Sequence, residues 1–389
     1  MFADPRRLAV ALAGLCAFVD LYATQSLLPL FAEEFHASPA QVSLTVSATT
    51  LAVALVAPFV GIAADLLGRK RIIVGAMFCL VAPTVFISFA PDLKALLLGR
   101  FAQGLLLPPI FAVTVAYIGD EWPSADVPAV TGIYIAGSGL GGFLGRFLSG
   151  LVSEAWGWRV AFGVLGALTI VCAIVVAFLL PREKSFVRSP SMASSFRAML
   201  SHLGDARMIA TYVVGFATLF SFVSSFTYVN FHLAAAPFNL TPAWLGSIFV
   251  VYLFGVAASP VAGRVMHRFG RGAVVLWAIG CWCAGLLLTL LPSLVAIMAG
   301  LAIAAASGFV FQTCATSYLT ATATVARSSA VGLYVTCYYI GGSAGAVAPA
   351  PAWRLFGWPG CVGLTVAVLL IALVIVLRFW REPRPIQQT

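Results

Sequence analysis

Asp20, Arg100 and Arg146 each interrupt an apolar run of about 20 residues, where a charge is costly and usually functional. A carboxyl group shielded from water is drawn towards its neutral form, and a nearby guanidinium draws it back. Asp20 is therefore a candidate for carrying a proton that is taken up and released as its surroundings change. Counting down from the helix ends at about 1.5 Å per residue places Asp20 about 15 Å deep and Arg100 about 10 Å deep, a gap that an Arg side chain spans. The pair is expected to interact, with Arg100 in a central cavity; a static ion pair serving helix packing is the alternative. If Arg100 and Arg146 both face inward against Asp20 alone, the interior is positive and favours an anionic ligand. Tyr22, Gln25, Gln103, Tyr134, Tyr228, Asn230, Tyr252, Gln312, Tyr338 and Tyr339 supply a possible polar and aromatic lining, although tyrosine is also common at membrane interfaces.

Other chemistries find no support in these residues. The eight cysteines all fall in apolar runs, with no paired positions for disulfides and no His or carboxylate neighbours for a metal. His36, His202 and His267 are expected in loops and His232 at a helix end. There is no nucleophile–base pair and no extramembrane domain, so an enzyme or receptor is a remote alternative; no cofactor or metal is expected.

Composition says what must hold these residues. With 61% of residues hydrophobic and 9% charged, the 389-residue chain has too few polar side chains to cover a water-facing surface. The apolar runs lack the period-2 alternation of a barrel wall, so an all-α membrane protein is expected. Cutting at charges and prolines gives twelve spans, from Leu8–Leu30 to Gly360–Leu377. The chain also repeats at an offset of about 200 residues: Tyr117 falls on Tyr318, Tyr134 on Tyr334, Gly141, Gly142 and Gly145 on Gly341, Gly342 and Gly345, and Trp158 on Trp358. Two same-sense halves suit a transporter whose substrate lies between rocking bundles. The expected organisation is a six-helix bundle over residues 1–181, a polar linker over 182–207 and a second six-helix bundle over 208–389.

With both termini in the cytoplasm, 17 of the 22 Lys and Arg residues collect on that side, all except Lys94, Arg100, Arg146, Arg159 and Arg354. The net charge of +9 then reflects topology and anionic lipid, not nucleic acid. Asp20 near the centre of the first span, with eleven spans after it, argues for a retained helix and against a cleaved signal peptide.

Three motifs carry a resemblance. Gly61, Asp65, Gly68 and Arg69-Lys70-Arg71 follow the second span; Gly99-Arg100-Phe101-Ala102-Gln103-Gly104 lies in the fourth; Gly132, Gly137, Ser138, Gly139, Gly141, Gly142 and Gly145 run along the fifth. The first resembles the loop motif of the major facilitator superfamily, the second its membrane-buried Arg motif, and the third its antiporter motif, with Ser138 where proline is expected. Phe18, Tyr22, Gln25, Pro29, Tyr134, Arg146 and Trp156-Gly157-Trp158-Arg159 look like the YnfM-type, arabinose-efflux-permease-like branch of proton-coupled efflux antiporters.

The resemblance covers essentially the whole chain and implies the twelve-helix major facilitator fold working by alternating access. It makes Gly61, Asp65, Gly68 and Arg69 a conformational latch, with Asp65 against a neighbouring helix N-terminus, and links Asp20 and Arg100 in proton coupling. Leu66 departs from the usual basic residue, and His267 replaces the Asp in the second copy. Close packing of helices accounts for most of the fifth-span glycines, including Gly137, Gly141 and Gly142, without any exchange chemistry. The leading expectation is proton-coupled efflux of a small molecule across the cytoplasmic membrane by a monomer, in exchange for protons. The alternative is uptake or exchange of a small organic anion bound by Arg100 and Arg146.

Overall fold

The computed structural model describes residues 4–183, 202–323 and 327–380, without the side chains of 61–63, 65, 66, 327 and 328. The linker expected at 182–207 therefore lies largely outside the described residues. Twelve membrane-spanning helices follow one another: α1 Pro5–Glu34, α2 Pro39–Leu67, α3 Arg69–Ser88, α4 Leu93–Glu121, α5 Val127–Trp156, α6 Trp158–Leu179, α7 Ala206–Ala234, α8 Pro242–Phe269, α9 Arg271–Leu288, α10 Leu294–Thr322, α11 Arg327–Val347 and α12 Ala350–Phe379. Among the described residues there is no strand. Most helices run several residues past the expected spans, and His267 sits in the last turn of α8 instead of a loop, because the helix continues to a glycine stop at Gly270.

Local signals set the helix ends. Ser38 and Gln41 form a reciprocal capping box ahead of Pro39, while the Asp92 and Asp205 side chains accept backbone N–H groups at the starts of α4 and α7. Gly68, Gly157 and Gly270, at φ of 89°, 85° and 79°, are one-residue links between consecutive helices. Only glycine takes this backbone freely.

Helices α1–α6 pack among themselves, as do α7–α12, and the two sets meet along α2/α11 and α5/α8. Each half is built on a seam of backbone against backbone. A Cβ added at Gly137, Gly141 or Gly145 of α5 would collide with the carbonyl oxygens of Ala11, Leu15 and Val19 on α1. The repeat reproduces this seam, with Gly341 and Gly345 of α11 against Phe216 and Phe220 of α7. Tyr134 and Tyr334 lie in the same way over Gly14 and Gly215. The fifth-span glycines are thus used mainly for packing, the small-residue approach expected where lipid supplies no hydrophobic drive between helices.

Gly141→Ala should destabilise the protein by about 1–3 kcal/mol, because backbone cannot move aside as a side chain can. Gly132→Ala, where a Cβ meets nothing within 4 Å, should be neutral or slightly stabilising. Thermal melts of the two purified variants in detergent check this; equal melting temperatures would count against the seam.

Candidate functional site

Asp20, Arg100 and Arg146 are the charged residues that the structure buries among those described, at 0%, 0% and 2% exposure. Their surroundings start from a fault in α1. Its first segment stops at Leu21, Tyr22 leaves helical geometry at φ −119° and ψ 17°, Gln25–Leu27 forms a 3-10 turn, and helix resumes at Leu28-Pro29. Pro29 has no amide hydrogen to give to the preceding turn, so carbonyls near the break need other donors.

Arg100 of α4 supplies them. Its Nη1 donates to the Asp20 carbonyl (2.7 Å) and Nη2 to that of Leu21, while Nε donates to the Thr45 carbonyl on α2 (3.2 Å). Nη1 also donates to Gln103 Oε1 (2.6 Å). A little further on, the Ala23 carbonyl accepts from Ser149 Oγ on α5 (2.7 Å). The Arg100 guanidinium thus ties α2 and α4 to the end of the broken α1.

The Asp20 carboxyl group accepts from three helices. Thr84 Oγ1 of α3 (3.0 Å) and Gln103 Nε2 of α4 (3.1 Å) reach Oδ1, and Thr169 Oγ1 of α6 (2.9 Å) reaches Oδ2. The expected direct ion pair with Arg100 is not formed; Gln103 stands between the two, its carbonyl end on Arg100 and its amino end on Asp20. Depth suggested the pair, but the turn of each helix about its axis decides what a side chain faces, and here it aims the guanidinium at main-chain oxygens. All these partners belong to α1–α4 and α6, so Asp20, Arg100 and Gln103 lie inside the amino-terminal bundle and do not line a central cavity. The Thr84 hydroxyl also lies 2.8 Å from the Leu80 carbonyl, so its single hydrogen can serve either its own helix or Asp20.

Arg146 is placed differently. It projects from α5 towards the other bundle, its guanidinium carbon 4.5 Å from the centre of the Tyr22 ring on α1 and 4.4 and 4.9 Å from those of Phe249 and Tyr252 on α8. Phe249 lies in a 3-10 turn, Ile248–Val251, that interrupts α8, and Tyr252 follows it. The arginine therefore sits between two faulted helices, one from each half. Its Nε donates to Gln25 Oε1 (2.8 Å) and its Nη1 to the Gly142 carbonyl. Gln25 Nε2 in turn donates across the interface to Thr227 Oγ1 on α7 (3.0 Å). No acid pairs with Arg146 among the described residues. Three desolvated ring contacts, each worth about 2 kcal/mol in such places, offset part of the cost of burying it.

The remaining sequence candidates divide. Tyr338 and Tyr339 of α11 pack on each other at 5.4 Å, Tyr339 stacks on Phe111 of α4 at 5.8 Å, and Tyr338 stacks on Tyr334 at 6.1 Å, making an aromatic patch across the interface. Gln312 accepts from Tyr334 (3.0 Å) and Tyr134 donates to the Phe111 carbonyl (3.3 Å). Tyr228 donates to the Ala346 carbonyl in the α7–α11 packing (3.1 Å), and Asn230 donates to Phe226 of its own helix (2.6 Å). Thr84, Thr169, Thr227 and Phe249 belong to the site and carried no sequence signal.

Near the chain termini, Gly68 makes the expected turn, and Arg69 pairs with Asp120 at the end of α4 (2.5 Å). This tie stays within one bundle. The Asp65 side chain lies outside the described ones; among those described, Glu183 is an acid at the N-terminus of α3, accepting from Lys70 N (3.2 Å). At the opposite end of the molecule the halves are joined by Ser47–Ser343 (2.6 Å) and by Ala243 N donating to Glu154 (3.0 Å).

Comparison with known proteins agrees with this architecture. The family model described as Major Facilitator Superfamily matches residues 10–235 and again 214–389, one match per half. The chain is similar to the inner membrane transport protein YnfM of Escherichia coli (strain K12), at 32% identity over 96% of this chain and 90% of the relative. It is also similar to the MFS-type transporter YybF of Bacillus subtilis (strain 168), at 30% identity over 93% and 90%. A solved bacterial homologue of the human lysosomal transporter Spinster, inward-facing and occupied, superposes with a TM-score of 0.76 at 18% identity, covering 97% of this chain and 96% of that one. On the two family-model matches, the relatives and the fold, this chain belongs to the major facilitator superfamily and is a multi-pass membrane transporter, not an enzyme.

Proposed function

We propose that the chain is a proton-coupled secondary transporter of small organic anions. It works by alternating access in the cytoplasmic membrane as a monomer, with both termini and the 182–207 linker in the cytoplasm. Asp20 carries the proton and Arg146 holds the cargo. The observation that carries the reading is Arg146 itself, a buried guanidinium between the halves, 2% exposed and with no acidic partner among the described residues. A charge buried without its counter-charge is costly, and a bound carboxylate or sulfonate supplies what is missing. The expectation that Arg100 also binds cargo is dropped, since its donors are engaged by Asp20, Leu21, Thr45 and Gln103.

Asp20 suits the proton because its neighbours serve both forms. Thr84 can donate to the carboxylate, or accept from the acid while donating to Leu80. Proton-coupled efflux of a lipophilic small molecule in exchange for protons is the second reading, favoured by the aromatic patch of Phe111, Tyr338 and Tyr339. Substrate-dependent pH change in proteoliposomes, with anionic and with lipophilic cationic compounds, separates the two.

Asp20→Asn should abolish accumulation driven by a pH gradient while leaving cargo exchange partly intact, because Asn keeps the size but cannot release a proton. Gradient-driven accumulation by this variant would move the proton site elsewhere.

Arg146→Ala should weaken binding of an anion by about ten- to a hundredfold, the worth of a charge-assisted hydrogen bond, with less effect on proton stoichiometry. Arg100→Lys should lower stability and coupling together, since an ammonium group cannot reproduce the fork that holds the α1 break. Affinity, melting temperature and stoichiometry measured on both variants test this separation; equal losses in all three would show the arginines acting as one unit.

A cysteine replacing Ser191 in the linker should react with membrane-impermeant reagents only after cells are opened. Labelling from outside intact cells would reverse the topology.

A further inference from the structure

We infer that the proton and the anion travel together, so that this transporter is a proton–anion cotransporter and not an exchanger; the inference rests on the anion reading above. It follows from the charges that the structure buries and from where they stand. Asp20, Arg100 and Arg146 are buried in or against the amino-terminal bundle. With Asp20 ionised this set carries one net positive charge; with Asp20 protonated it carries two. Each added positive charge favours a buried anion, and each bound anion favours protonation of a neighbouring carboxylate, because coupling between two binding events is reciprocal. An exchanger needs the opposite sign, with proton and cargo excluding each other, as happens when a cation and a proton compete for one carboxylate. The unpaired guanidinium of Arg146 makes the site unfit for that cargo.

The two sites are close enough for this to matter. Asp20 begins the fault in α1, and Tyr22 and Gln25, in the same stretch, hold Arg146. The five residues from Asp20 to Gln25 span about 17 Å at most even when fully extended, so the charges stand on the order of 15 Å apart. At an effective dielectric near 20, a unit charge at that distance changes an affinity roughly fivefold.

The groups facing Asp20 do not cancel the effect. Arg100 and the neutral Gln103 come from α4, Cys172 and Thr169 from α6 and Cys16 from α1 itself; α3 offers the neutral Thr84, and α2 the Thr45 carbonyl that holds Arg100. Two faces of the Arg146 guanidinium are covered by rings, and Nε and one N–H of Nη1 have acceptors, so Nη2 and the second N–H of Nη1 are left for cargo. That edge suits a single carboxylate or sulfonate group.

Benzenesulfonate is a suitable probe because its charge is the same at every working pH, so any pH dependence belongs to the protein. Its binding, and that of p-aminohippurate, is measured by calorimetry on the full chain in detergent, from about pH 5 to about pH 9. Affinity is expected to rise about fivefold on acidification, and Asp20→Asn to bind at the acid-side affinity throughout. Affinity that falls on acidification, or that ignores pH, overturns cotransport and leaves the anion reading standing. Failure of both probes to bind the wild type, or unchanged binding by a folded Arg146→Gln, overturns the anion reading itself. If Arg146→Gln does not fold, Arg146→Lys replaces it, and its binding must weaken severalfold for the reading to survive.

Discussion

In a membrane interior no water is at hand to satisfy a broken helix, and that constraint organises the amino-terminal half of this protein. The fault in α1 between Leu21 and Leu28 leaves main-chain oxygens that must be met by side chains, and Arg100 and Ser149 meet them. Once Arg100 is committed to α1, its position fixes that of Gln103, and Gln103 fixes the carboxyl group of Asp20. On the far side of the fault, Tyr22 and Gln25 are turned towards the second bundle, where they take hold of Arg146. A local defect in one helix thus sets both the carboxyl group and the guanidinium that give the site its chemistry.

The internal repeat makes the division of labour visible. Helix packing is duplicated faithfully: the α1–α5 and α7–α11 seams use equivalent glycines against equivalent carbonyls, and Tyr134 and Tyr334 lie over equivalent glycines. The charges are not duplicated. By the same alignment Asp20 falls on Ser221, Arg100 on Leu301 and Arg146 on Ala346. The carboxy-terminal half contributes rings and hydroxyls, Phe249, Tyr252 and Thr227, to a site whose charged groups all belong to its partner. One half carries the ionisable groups; the other supplies a surface against which they are read.

The twelve helices, the repeat and the three buried charges were legible in the sequence because each departs from a strong background: apolar runs, recurrent glycines at fixed offset, and rare ions within them. Thr84 and Thr169 were not, since a threonine in an apolar helix more often bonds its own preceding turn than a distant carboxylate, and only the fold tells the two apart. Phe249 was hidden among 29 phenylalanines. The direct Asp20–Arg100 pair was misread for a related reason: depth along a helix can be counted from its end, whereas rotation about its axis depends on packing. The extended α8 shows the same limit, for the polar residues His267 and Arg268 looked like loop yet continue the helix to Gly270.

The single-glycine links at Gly68, Gly157 and Gly270 have a practical side for anyone modifying this protein. A chain that reverses direction on one residue has no slack, so a tag, protease site or fused domain inserted there would force two spanning helices apart and spoil the seams they support. The connections with slack are few: among the described residues, Phe35–Ser38 ahead of α2, Phe89–Asp92 ahead of α4, Trp122–Asp126 ahead of α5, Ala235–Thr241 ahead of α8 and Thr289–Ser293 ahead of α10. Fiducials for imaging, or binders raised against the native shape, are best aimed at those places, and a library of random insertions should return survivors there and almost none at the glycine links.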